Sequence, residues 1–164
     1  MTWTTPQTWV AGSVVSAAQL NEQLRDNLSY LLSRPHQRII RDAGYSTTST
    51  SFVDIDSTNL SITLTLSSGA VLVGLEANAS YSGGGGSNPV FDITIDGTRY
   101  ANAVATGLGG ITGTTGSHTV HLSFTVLVVG LTVGSHIFRP VWRNSVTGTT
   151  SLVSPVVFWA LEVA

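Results

Sequence analysis

Asp54 and Asp56 stand two residues apart in Ser51-Phe52-Val53-Asp54-Ile55-Asp56, so on a strand both carboxylates leave the same face. Paired carboxylates bind calcium or share the acid and base roles of a glycosidase. A calcium loop gathers more oxygen ligands in a tighter turn than this segment offers. A glycosidase needs a second, well-separated acid in an aromatic-lined cleft, and Glu76, Asp92 and Asp96 are candidates for it only by elimination. The four histidines do not converge. His118 and His121 are three apart in an expected strand and point to opposite faces, His36 follows Pro35 in a linker, and His136 opens another strand. Each reads as a solvent-facing or hydrogen-bonded histidine. No Gly-x-Ser-x-Gly elbow is present. The Gly83–Gly86 run lacks the Lys-Ser or Lys-Thr that completes a phosphate loop. Asn27-Leu28-Ser29, Asn59-Leu60-Ser61 and Asn78-Ala79-Ser80 match glycosylation sequons by chance in a Ser-rich chain. With no cysteine, disulfides and thiolate metal sites are excluded. The expectation is a protein that is not an enzyme, with no catalytic residue, metal or cofactor.

Binding remains, and composition narrows it. Only 10% of the 164 residues are charged, where a soluble domain carries about 25%. The net charge is -2, and all seven cations are arginine. No basic field exists to attract nucleic acid or an anionic membrane. No apolar run approaches the roughly 20 residues of a membrane span. The opening residues have neither the cationic nor the apolar region of a secretory signal. The protein is therefore expected to be made in a cytoplasm and to stay there or leave by a route other than secretion, such as lysis. So few charges also mean a surface of Thr, Ser, Gly and Asn, or a surface hidden in an assembly.

Three segments carry these residues. Residues 1–15 form a short polar-aromatic arm with Trp3, Pro6, Trp9 and Gly12. So short an arm cannot bury two indoles against itself, and they must dock on the protein's own body or on another chain. Ser16-Ala17-Ala18-Gln19 fits a capping box, flanked by Val15 and Leu20 at the spacing of a hydrophobic staple. These signals predict a helix from about Ala17 to Ser33, stopped by Pro35. Leu20, Leu24, Leu28 and Leu31 form one stripe at spacings of 4, 4 and 3. The stripe can pack on the following domain or join copies around a symmetry axis, and a narrow leucine seam suits the second use. Residues 1–36 thus read as an anchoring and oligomerisation element, with Trp3, Trp9 and the four leucines as its contacts.

Residues 37–164 read as antiparallel β-structure. Leu60, Ile62, Leu64 and Leu66 alternate with polar residues, and Phe91–Ile95 runs into Asp96-Gly97, a strong hairpin signal. Further strands are expected at Gly69–Tyr81, Ser117–Val129, Ser135–Arg143 and Val156–Val163, with surface loops at Gly83–Gly86 and Gly107–Gly116. The fold expected is mainly β, an arm and one amphipathic helix leading into a jelly-roll-like sandwich of about eight strands.

The opening Thr2-Trp3-Thr4-Thr5-Pro6-Gln7-Thr8-Trp9-Val10-Ala11-Gly12, then Val14–Asn21 and Leu24–Leu28, resembles that of a family of tailed-bacteriophage and prophage proteins described as minor tail, tail-fibre or head-fibre proteins. Thr50–Asp54, Val71–Gly74, Asp96-Gly97-Thr98, Gly130-Leu131 and Gly134-Ser135-His136 are similar to that group's C-terminal strand domain, a pattern generic to trimeric jelly rolls. The resemblance implies a virion structural protein, a homotrimer whose N-terminal part fixes it to capsid or tail. No fibre repeats separate helix from strand domain, which favours a compact decoration or knob. Within that expectation, head decoration and tail receptor binding to a host-surface glycan both stand. Tyr81, Tyr100 and Trp142 are candidates to line a receptor groove, and equally ordinary core residues.

Overall fold

The computed structural model describes residues 4–82, 88–101, 107–111 and 118–163 and divides into two compact units, Met1–Pro35 and His36–Ala164. Trp3, the Gly83–Gly86 run and residues 112–116 of the second expected loop lie outside the described residues.

In the first unit Ser16 is an N-cap in extended conformation, and the capping box forms. The Gln19 amide donates to Ser16 Oγ at 3.2 Å, and Gln19 Oε1 accepts the Ser16 amide at 2.9 Å. Two orphan donors at the helix start are thereby satisfied. The helix then runs without a break through α1 (Ala17–Leu20), a π-helical stretch (Asn21–Asp26) and α2 (Asn27–Leu32), since Asn21 and Asn27 both keep right-handed helical dihedrals. It ends at Ser33, two residues before Pro35, whose ring disfavours helical geometry in the preceding residue. The expected helix is there, but its middle is wider than α.

The second unit is all β among its described residues, with every strand pair antiparallel. Its strands are β1 (His36–Arg41), β2 (Tyr45–Thr47), β3 (Val53–Asp54), β4 (Ile62–Leu66), β5 (Ala70–Ser82), β6 (Pro89–Ile95), β7 (Thr98–Arg99), β8 (Gly109–Gly110), β9 (His118–Val129), β10 (Gly134–Asn144) and β11 (Thr149–Val163). Eleven strands stand where about eight were expected, because β2, β3, β7 and β8 are only two or three residues long. A period-two pattern needs about four residues to be legible. The first sheet has the order β1-β11-β5-β9, with β2 also pairing β11; the second has β3-β10-β6-β7, with β4 on β10 and β8 on β6.

One apolar cluster lies between the sheets. Leu60, Ile62, Leu64 and Leu66 are all buried, as their alternation requires. They meet Val71, Val73, Leu75, Ala77 and Ala79 of β5, Phe91 and Ile93 of β6, Phe138 and Trp142 of β10, and Val156, Phe158 and Ala160 of β11. Trp142 and Phe91 pack edge-tilted with ring centroids 6.2 Å apart. The hairpin at Asp96-Gly97 takes positive φ at both residues, 52° and 82°, as a primed turn demands.

Candidate functional site

The carboxylates expected to do chemistry are dispersed by the fold. The strand carrying Asp54 ends there, so Asp56 leaves the sheet and caps the next turn. It accepts the amides of Thr58 at 3.0 Å and Asn59 at 2.8 Å, and the Asn59 amide holds its carboxyl below the usual range. Asp54 instead faces Arg139 at 3.7 Å. Asp92 is fully buried, paired with Arg99 at 3.0 Å. Burial pushes its carboxyl up, while the Ile93 and Ala101 amides and Arg99 pull it back. A raised buried acid is a common mark of an active site, but this one has no exposed surface from which to meet a substrate. Glu76 and His121 border a cavity of about 120 Å3 with Asn78 and Pro155. The cavity of about 280 Å3 beside Gly107–Ile111 and Asn88–Val90 carries no titratable side chain among the described residues. Among the described residues no three His, Asp or Glu come together as a metal site.

The histidines are likewise placed one by one. His121 is exposed on β9, and His36 opens β1. His136 is buried, with Nδ1 2.7 Å from Asp96 Oδ2 and Nε2 2.8 Å from the Thr132 carbonyl. Of the aromatics considered for a groove, Trp142 and Tyr81 are core residues. Tyr100 is exposed and donates its hydroxyl to the Leu127 carbonyl at 3.2 Å.

Among the described residues, the expected contact residues that stand together are the leucines of the helix, and the arm lies along the neighbouring side of that helix. Residues 4–7 run antiparallel to the helix and are held by a row of side-chain amides. Asn27 accepts the Thr4 amide and donates to the Thr4 carbonyl, both at 3.0 Å. Gln23 accepts the Gln7 amide at 2.8 Å and donates to the Thr5 carbonyl at 3.5 Å. Gln19 reaches Gln7 Oε1 at 3.4 Å. Pro6, lacking an N–H, stands where the row asks for no donor. The Gln19-Gln23-Asn27 row escaped the sequence reading because polar residues on a helix resemble ordinary solvated surface. Its signal was the exact 4-4 spacing of amide side chains.

Beside this row, about 100° around the helix, runs Leu20-Leu24-Leu28. On a pure α-helix positions four apart drift by about 40° per step. A π stretch needs more residues per turn and drifts the other way, so both rows run closer to parallel with the axis. The four leucines are exposed, Leu24 and Leu28 each at 56%, and Trp9 is 46% exposed. One side of the helix is thus occupied by its own arm, and the leucine side lies open.

No protein-family model matches the chain, and no curated protein matches it. No helix among the described residues is long and apolar enough to cross a membrane.

Proposed function

We propose that the chain is a structural protein of a tailed-bacteriophage virion: a compact, trimeric decoration or fibre protein anchored through arm and helix, with the strand domain facing outward. The observation that carries this reading is the open row Leu20, Leu24, Leu28 and Leu31 on a helix whose neighbouring side is already filled by its own arm. An apolar row left in water is a partner surface. Covering the remaining half of each leucine contributes about 1 kcal/mol, or about 4 kcal/mol per copy. A short seam of this kind suits self-association supported by the bodies it joins.

The strand domain supports the same reading. The orders β1-β11-β5-β9 and β4-β10-β6-β7 place the successive strands β1, β4, β5, β6 and then β7, β9, β10, β11 alternately in the two sheets, with β6 and β7 as a hairpin within one sheet. That arrangement supports reading the domain as the double Greek key of a jelly roll, with β2, β3 and β8 as short additions. The opening residues resemble those of phage tail and head-fibre proteins, and the near-neutral surface permits crowding on a particle. The work is binding without chemistry, to copies of itself and to capsid or tail proteins.

The test is sedimentation of the full chain and of Leu24→Asp. The wild type is expected as a trimer at micromolar concentration. Leu24→Asp sets three carboxylates on the seam and is expected to raise the dissociation constant at least about 100-fold, by the several kcal/mol of burying charge, with the β circular-dichroism signal kept. A monomeric wild type overturns the proposal.

A further inference from the structure

The two sheets differ on their outward faces. The outer face of the β3-β10-β6-β7 sheet is charged and internally paired. Arg139 faces Asp54, Arg99 pairs with Asp92, and Arg99 and Arg143 lie over the Phe52 ring at 4.2 and 5.2 Å. The outer face of the β1-β11-β5-β9 sheet is apolar at one end. By register, Val129, Ala70 and Val163 form one row across β9, β5 and β11, and Leu127, Leu72 and Leu161 the next, ending beside His36 of β1. The third row holds Thr125, Gly74 and Trp159, ending at Arg38. A Cβ at Gly74 would overlap the indole, so Trp159 lies flat on the sheet at a position open only to glycine. Ser123, Glu76, Val157 and Ile40 follow. Leu127, Ile40 and Val129 are exposed at 49, 54 and 64%.

The sequence of these strands carries the same message. Val71-Leu72-Val73, Val126-Leu127-Val128-Val129 and Val156-Val157-Phe158-Trp159-Ala160-Leu161 are apolar at both parities. Unbroken apolar runs belong to strands covered on both faces, and the core covers only one of these. We infer that the outward face of the β1-β11-β5-β9 sheet is where the strand domains of neighbouring copies pack against one another. The inference rests on the self-association proposed for the helix.

One feature selects a second copy as the occupant. Arg38, exposed on edge strand β1, and Glu76, in the middle of the face, have no ion-pair partner among the described residues. A cyclic assembly brings two different patches together at each interface, so the Arg38 edge of one copy can meet Glu76 of the next.

Leu127→Glu in the full chain tests this, with Ile137→Glu, on the outer face of the other sheet, as the control. Sedimentation equilibrium is expected to show Leu127→Glu dissociating at concentrations at least tenfold above the wild type, with Ile137→Glu unchanged. If Leu127→Glu fails to fold by circular dichroism, Val129→Glu on the same face takes its place. An oligomer that Leu24→Asp disperses while Leu127→Glu or Val129→Glu leaves it untouched overturns this inference and spares the helix reading. A monomeric wild type overturns both.

Discussion

His136 is positioned to hold two turns together through a proton. Its Nδ1 faces the Asp96 carboxylate at 2.7 Å and its Nε2 the Thr132 carbonyl at 2.8 Å. Both partners only accept, so both ring nitrogens must donate, and only the imidazolium has two N–H groups. The Asp96 carboxylate, then the Thr132 carbonyl, raise the His136 pKa above its ordinary value. Asp96 is pushed up by burial, but the Ile137 amide and His136 outweigh this and leave it lowered. A raised histidine contributes stability that is complete below the unfolded value near 6.5 and lost as pH rises through the folded pKa. A lowered aspartate contributes stability present above its unfolded value of 3.8 and lost as pH falls through the folded one. The clamp is therefore strongest between about pH 4 and 6.5. Hydrogen bonds to charged groups contribute about 1.5–3 kcal/mol. Asp96 is half exposed, so screening reduces the pair to about 1–2 kcal/mol. For a chain of this size that is about 2–8 °C in melting temperature. Thermal melts of the wild type and His136→Gln from pH 5 to 9 provide the assay. The wild type is expected to exceed the variant by that amount at pH 6, and the curves to converge by pH 9. Parallel curves across the whole range would refute the charged clamp.

Two further substitutions test other features of the structure. Asn27→Ala removes both hydrogen bonds to Thr4, about 1–2 kcal/mol together, and amide exchange at Thr4 and Gln7 should quicken about tenfold. Gly74→Val places a branched side chain where the Trp159 indole lies; a loss of about 1–3 kcal/mol in urea melts and a shift in tryptophan emission are expected, and unchanged emission would contradict the stacked ring.

Much that is local was legible in the residues themselves. The Ser16–Gln19 box, the helix stop before Pro35, the Asp96-Gly97 turn and the Leu60–Leu66 alternation each depend on neighbours within a few positions, where propensity and capping decide the outcome. The same locality explains the misses. Asp54 and Asp56 look paired on an unbroken strand, but the strand ends at Asp54 because Asp56 is drawn into hydrogen bonds with Thr58 and Asn59. Trp142 and Tyr81 could be surface or core until the sheets closed over them.

What the sequence alone determined, then, was element type and turn chemistry: a capped helix with a leucine row and alternating strands. Tertiary structure decided the partners. His36 lies beside Leu161, Glu162 receives the Ser67 amide from 95 residues away, and the arm is laid along Gln19, Gln23 and Asn27. The physical reason is that a strand's period assigns its side chains to two faces without saying what covers either. In Val71-Leu72-Val73 both parities are apolar, and only the closing of one sheet over the other turned Val71 and Val73 inward and left Leu72 facing out.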